Sequence, residues 1–213
     1  MKEPSRASAR RYDSLPDFIR DNRLLNMVLF RVVFKERATL FLDFKAKAPD
    51  MGEEEWAETY RSAMAFTKRQ TDLNDECVEA ILAAVIGSVV EVGFGKGYLL
   101  RQMPGAVGVD IEVPEGAGYR KGRAESLPCS DGEFDTVVCT HTLEHIPDAA
   151  KALSELRRVA RRRVIVVVPK EDYHLYTPNL HLSFWPTVES FSDFTGHKGV
   201  CKELGGDLFY VED

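Results

Sequence analysis

The sequence predicts an α/β fold: a seven-stranded, mostly parallel sheet with a C-terminal antiparallel hairpin strand, preceded by an N-terminal helical cap. Three observations carry this. From Ser88 onward, short runs rich in Val and Ile alternate with amphipathic stretches bounded by turn residues, the rhythm of strand–helix–strand units. Val164–Val168 is a continuous apolar run, as expected of a strand buried on both faces of a parallel sheet. Near the end, Gly205-Gly206 separates two strand-like segments, which is a hairpin signal and adds an antiparallel strand at one edge.

Taken in order, residues 1–14 read as a polar tail. Leu15 to Phe44 is dense in Leu, Val and Phe, with Arg23, Arg31, Lys35 and Arg37 interspersed, which suits a helix or helix pair buried on more than one side. Pro49 and Gly52 break it, and the acidic Glu53-Glu54-Glu55 run starts a helix reaching about Phe66. Asp72 caps a helix through Val85 that Gly87 ends. Strands follow at 88–92, 106–110, about 119–122 and 134–140, with a short helix at 98–103 between the first two. The helix 148–160 places Ala149, Ala152, Leu153, Leu156 and Val159 on one face; the irregular stretch 170–186, a short helix at 187–194 and the hairpin 200–211 complete the chain. Two domains are expected, a helical cap or lid at 1–86 and an α/β domain at 87–213.

Charge and cysteine usage narrow the partners. With 28 Lys+Arg against 34 Asp+Glu, the net charge is −6, and residues 1–86 hold 14 basic against 15 acidic groups, so neither part shows the basic excess of a dedicated nucleic-acid binder. The longest apolar run, Ile81–Ile86, is too short to span a bilayer, and no membrane association is expected. Cys77, Cys129, Cys139 and Cys201 lack CxxC spacing and read as reduced thiols, which places the protein in the cytoplasm. The run Arg157, Arg158, Arg161, Arg162, Arg163 lies at a helix C-terminus, where cations are favoured, and reads as a solvated helix end.

The most informative stretch is Glu91-Val-Gly93-Phe94-Gly95-Lys-Gly97-Tyr98, a strand entering glycines and then a helix. Glycine tolerates positive φ and lets a ligand approach the backbone. Seventeen residues after Gly93, Asp110 ends the next strand, followed by Ile111, and an acid there accepts hydrogen bonds from ribose hydroxyls. A dinucleotide fingerprint counted from Gly93 needs glycine or alanine where Tyr98 stands, and Glu91 at the strand end repels a phosphate but attracts a cationic amino group.

With these motifs the chain resembles the class I S-adenosylmethionine-dependent methyltransferases, especially the methyltransferase type 11 group, over about residues 87–170. The resemblance implies a Rossmann-like sheet, S-adenosyl-L-methionine as cofactor and S-adenosyl-L-homocysteine as product. By that likeness Glu91, Gly93, Phe94, Gly95 and Gly97 hold the methionine end and Asp110 and Ile111 the ribose. Gly122-Arg123-Ala124-Glu125 resembles the adenine-side motif, giving Ala124 and Glu125, and Thr140-His141-Thr142-Leu143-Glu144-His145 resembles the loop after the fourth strand, giving Thr140 and His141. Two departures stand out: Arg123 replaces a frequent acid, and Pro114, Gly116 and Gly118 replace the helix after the ribose acid.

For a hydroxyl acceptor the reaction needs a base, and His141 and His145 are the candidates, because ligands of open α/β sheets lie beyond the carboxyl ends of the strands. No metal site is expected: Pro147 starts the helix after both histidines, and Thr142 stands where a metal-binding Glu-x-x-His of some quinone O-methyltransferases has its Glu. Tyr173, Tyr176, Asn179 and His181, after the fifth strand, are the candidate acceptor contacts. Tyr60, Phe66, Lys68, Arg69 and residues 71–74 are expected in a lid, or else the apolar Met27–Phe34 stretch makes a homodimer interface. The expected function is methyl transfer to O or N of a small-molecule or sugar-like metabolite. The rivals are an RNA or protein methyltransferase, a non-catalytic scaffold of the same fold, and a nicotinamide oxidoreductase, which Tyr98 and the terminal hairpin oppose.

Overall fold

Val89, Val90 and Val92 give both faces of strand β1 (Val89–Val92) an apolar surface, and all four of its residues are buried at the centre of the sheet. The computed structural model describes residues 15–64, 70–116, 118–176 and 179–213; the expected tail 1–14 and Phe66, Lys68 and Arg69 of the expected lid lie outside them. Parallel to β1 on either side run β2 (Val107–Asp110) and, across the sheet, β4 (Phe134–Thr140), while β3 (Tyr119–Lys121) flanks β2. β5 (Ala160–Pro169) continues the parallel set beside β4. The hairpin β6 (Val200–Leu204) and β7 (Asp207–Glu212) then adds β7 antiparallel to β5, giving seven strands in the order β3-β2-β1-β4-β5-β7-β6. This is the expected mostly parallel sheet with its antiparallel terminal hairpin.

The strands β4 and β5 alternate between two core clusters, because successive side chains point to opposite faces. Val137, Cys139, Val164 and Val166 share one cluster with Ala152, Leu153, Leu156 and Val159 of the amphipathic helix α6 (Ala149–Val159). Val138, Ile165 and Val167 share the other with Cys77, Val78 and Ile81 of α5 (Asp75–Ala84). Each such Val or Leu stabilises the fold by about 1.5–3 kcal/mol when fully buried. The helix α7 (Val188–Thr195) starts at a reciprocal cap between Thr187 and Ser190 and stops at Gly196, whose φ is 72°.

Two compact units result: Met1–Lys68 with Asp172–Leu182, and Arg69–Glu171 with Ser183–Asp213. The break therefore falls earlier than the expected 86/87, since the apolar face of α5 belongs to the sheet core. Asn74, rather than Asp72, caps this helix, its Oδ1 accepting the Cys77 N–H at 2.8 Å. The helix expected at 98–103 shrinks to one 3-10 turn, Leu100–Gln102, because Gly97 precedes and Pro104-Gly105 follows it closely. Beneath it Phe94 is buried, and Gly108 leaves the room: a Cβ there would lie 2.6 Å from Phe94 Cδ1 and 2.8 Å from Leu100 Cδ2.

The other unit contains α1 (Asp17–Arg20), α2 (Arg23–Phe34), α3 (Ala38–Lys47) and α4 (Glu53–Met64). Its core is aromatic: Phe34 stacks on Phe41 at 4.0 Å between ring centroids and meets Phe30 edge-on at 5.6 Å, while Phe44 contacts Trp56 at 5.6 Å. Asn22 caps α2, and buried Asn26 ties α1 to it by donating to the carbonyls of Ile19 and Arg20. Segment 172–182 joins this unit through His174, whose Nδ1 accepts from Arg20 at 2.7 Å and whose carbonyl accepts from Lys45; the same Lys45 ammonium sits 4.5 Å above the Tyr173 ring. No helix among the described residues is long and apolar enough to cross a membrane.

Candidate functional site

The carboxyl ends of β2, β1 and β4 stand side by side, with Val92 paired to Val109 and to Cys139. The chain changes direction across the sheet at β1, the place where open α/β folds form a ligand crevice. Gly93, Gly95 and Gly97 all have positive φ, at 74°, 51° and 69°. The Gly93 N–H donates to Val109 O at 2.8 Å and the Gly97 N–H to Phe94 O at 2.8 Å, which fixes the turn. A Cβ on Gly93 would overlap the Thr142 side chain, with Cγ2 at 2.6 Å and Cβ at 2.9 Å, so the loop after β4 nests against the turn; a Cβ on Gly95 would meet open space.

Two acids border this turn. Glu91 is 2% exposed, and burial, reinforced by the Asp110 carboxylate, pushes its pKa up to about 8. Its Oε2 is buried with no hydrogen-bond partner. Asp110 accepts the Gly95 N–H at 2.8 Å, and its pKa is raised chiefly by burial. A buried carboxylate oxygen without a donor beside a second acid, next to open space over a glycine, fits a cationic group better than a phosphate.

Ala124 is buried in a tight turn closed by the Arg123–Ser126 bridge, and Arg123 holds Glu125 Oε1 at 2.9 Å while Glu125 Oε2 is buried without a partner. Arg123, the residue that stands where an acid is frequent, is thus the salt-bridge partner of Glu125. Thr140 ends β4, and its carbonyl lies 2.9 Å from the Thr142 hydroxyl.

His141 differs from expectation. Its φ is 46°, and its N–H donates to Val167 O at 2.8 Å, which turns the ring back into the sheet unit. There Nδ1 lies 3.4 Å from Glu144 Oε1 and Nε2 lies 3.3 Å from Asp207 Oδ2. Burial alone would lower its pKa, but the two carboxylates prevail and raise it to about 10. An imidazolium with both nitrogens engaged has no lone pair to accept a proton at neutral pH, so the base role expected of His141 does not fit. His145, partly buried, has Nε2 4.0 Å from Glu144 Oε1. Sequence alone assigns Asp207 no place here; it names Glu144 and Thr142 only within the loop after the fourth strand and Asn74 only within the expected lid, whereas Asn74 Nδ2 donates to Asp207 Oδ2 at 2.8 Å.

Tyr173, Tyr176, Asn179 and His181 lie in the excursion 172–182, which groups with the helical unit. Its two feet stand in the sheet unit: the Glu171 N–H donates to Trp185 O at 3.2 Å, and the Ser183 N–H to Glu144 O at 3.1 Å. The arginine run is engaged with carboxylates, Arg157 with Glu212, Arg158 with Glu155 and Asp131, Arg161 with Asp135 and Arg163 with Asp213.

Residues 90–168 match the family model of a methyltransferase domain. An uncharacterized methyltransferase of Bacillus subtilis is 38% identical over 92 residues, covering 35% of this chain and 36% of that protein. A demethylmenaquinone methyltransferase of Lactiplantibacillus plantarum is 31% identical over 90 residues, covering 41% of this chain and 38% of its own length. The chain thus spans less than half the length of these curated relatives. Among solved structures, a SAM-dependent methyltransferase of Thermotoga maritima superposes with a TM-score of 0.52 at 18% identity, over 75% of this chain and 96% of that one, and so shares the fold.

Proposed function

We propose that the chain carries a class I S-adenosylmethionine-dependent methyltransferase domain, in accord with the family model matched by residues 90–168, and that it transfers a methyl group to O or N of a small-molecule or sugar-like metabolite. The observation that carries the reading is the pair of buried acids at the glycine turn, Glu91 with its unpartnered oxygen and Asp110 at the end of β2. In it Glu91 and the turn Gly93–Gly97 hold the amino-acid end of S-adenosylmethionine, Asp110 and Ile111 the ribose, and Ala124 and Glu125 the adenine side. When bound, the cofactor supplies an electrophilic methyl group on a sulfonium. The chain's task is then to hold the acceptor in line and exclude water. Of the two histidines, His145 is the candidate base for a hydroxyl acceptor, and the excursion with Tyr173, Tyr176, Asn179 and His181 supplies acceptor contacts. A small acceptor accords with the demethylmenaquinone methyltransferase among its relatives, and four cysteines without CxxC spacing accord with a reducing cytoplasm.

Calorimetry with S-adenosylmethionine, S-adenosylhomocysteine and NADH tests this. Micromolar binding of the first two alone is expected, and Asp110→Ala should weaken it by ~30-fold or more, the loss of a charge-assisted hydrogen-bonding partner. Binding of NADH alone overturns the reading.

Glu91 yields a separate expectation. With its pKa about 8, most of it is protonated at pH 7, and a cationic amino group placed beside it drives the proton off. Cofactor binding should release about one proton, read as a dependence of the binding enthalpy on the buffer's ionisation enthalpy. In Glu91→Gln that dependence should vanish. A wild-type enthalpy identical in phosphate and Tris removes Glu91 from the site.

A further inference from the structure

Parallel neighbouring strands are usually joined by a helix that lies on one face of the sheet. Between β2 and β3 the crossover 111–118 has no helix among its described residues: Pro114 interrupts it, and Gly116 and Gly118 have φ of 136° and 93°. The space beside it is a cavity of about 540 Å³, lined from the glycine turn, from the 3-10 turn at Leu100–Gln102 and from the crossover itself. The wall has two chemical characters. Phe94 and Tyr119 form an aromatic surface, with ring centroids 5.3 Å apart and 34° between planes. The charged residues that line the cavity are Lys96 and Arg101, with no acid among the described residues. Arg101 is held across the glycine turn, since Nη1 donates to Lys96 O at 2.7 Å and would lie 3.3 Å from a Cβ on Gly97; the described residues give its guanidinium no carboxylate partner. Glu91, Asp110, Ala124 and Glu125 do not line this space, so it adjoins the place proposed for the cofactor without coinciding with it.

We propose that this cavity is a second binding site, for a small aromatic anion: a planar ring system carrying one carboxylate or sulfonate, its ring against Phe94 and Tyr119 and its oxyanion on Arg101. The volume is that of a small-molecule site. Charge selects the sign of the ligand, because a wall with two cations and no acid attracts an anion, and a guanidinium presents the planar fork that matches a carboxylate. The rings select its body: inorganic phosphate would leave the aromatic surface uncovered, and a neutral ring would leave the guanidinium unmatched.

The probe is 2-naphthoate, titrated into the full, 15N-labelled chain by NMR. Saturating shifts are expected with a single dissociation constant of about 0.1–1 mM, largest at the amides of Gly97, Gly105 and Gly118, which line the cavity. The neutral 2-naphthamide should bind ~10-fold more weakly. Arg101→Ala, at an exposed position that leaves the thermal midpoint unchanged, should weaken 2-naphthoate ~10-fold or more, and Arg101→Lys, which keeps the charge and loses the fork, by ~3-fold. The same titration with excess S-adenosylhomocysteine should give the same shifts, and because the probe is read directly the result holds whether or not S-adenosylhomocysteine itself binds. Absence of saturable shifts up to about 5 mM overturns the proposal. So do shifts centred on other residues, displacement of the probe by S-adenosylhomocysteine, or an affinity indifferent both to Arg101→Ala and to the probe's charge.

Discussion

Gly93→Ala should raise the dissociation constant for S-adenosylmethionine by ~100-fold or more while leaving the sheet folded. Two costs act together. The backbone at Gly93 has φ 74°, which costs a side chain about 1–2 kcal/mol. The new Cβ also overlaps Thr142, whose Cγ2 and Cβ lie 2.6 and 2.9 Å away. A β-branched side chain at the start of a buried loop cannot swing aside cheaply. Relief requires the turn to lift from Val109 O, its 2.8 Å anchor, and lifting it moves the Gly95 N–H away from Asp110 and uncovers Glu91. Thr142→Ala alone keeps the turn and should change affinity by less than ~3-fold; combined with Gly93→Ala it should restore part of the loss, a coupling of about 1 kcal/mol or more in a double-mutant cycle. Calorimetric affinities within ~3-fold of wild type for Gly93→Ala would show that the turn does not form the cofactor site.

What the sequence made legible follows from range. The strands β1, β4 and β5 announce themselves because each is a local apolar run, and the glycine turn because positive φ leaves a residue signature. The helix α5 was legible as a helix, but its allegiance was not: its buried face looks the same whether it meets a sheet or other helices, so the unit break was placed too late. The short 3-10 turn at 100–102 was overestimated because Tyr98-Leu99-Leu100 has helical composition, whereas Gly97 and Pro104 leave no length for regular turns. At the site, Glu91 and Asp110 could be placed because they sit at fixed offsets from the glycines. Asp207 could not, since only the register of β7 against β5, with Asp207 opposite Pro169, carries it to the end of the sheet where His141 lies. A histidine's neighbours decide its role, and here two of them are 3 and 66 residues away.

Those neighbours make His141→Gln the most destabilising conservative change expected in the sheet unit. Asp207 and Glu144 are 4% and 0% exposed, and the imidazolium between them is their shared counter-charge. Removing it takes the shared counter-charge from two buried carboxylates, a loss of about 3 kcal/mol. For a chain of this size that lowers the thermal midpoint by about 6–12 °C at pH 7. The pH dependence identifies the cause. Folding raises the His141 pKa from 6.5 to about 10, so its contribution is fully present below pH ~6.5 and is lost as pH rises toward 10. The gap in midpoint between wild type and His141→Gln should therefore be widest at pH 6 and narrow steadily by pH 10. Comparing the two proteins at each pH cancels groups common to both, including Glu91, whose raised pKa also titrates in this window. A gap independent of pH in scanning calorimetry would mean the ring is neutral in the folded protein, and a base role for His141 would return. A narrowing gap ties the end of β7 to the loop after β4 through a fixed positive charge. Because Thr142 follows His141 in that loop and abuts Gly93, the same variant should also weaken cofactor binding by ~5-fold or more at pH 7, without touching any residue of the glycine turn.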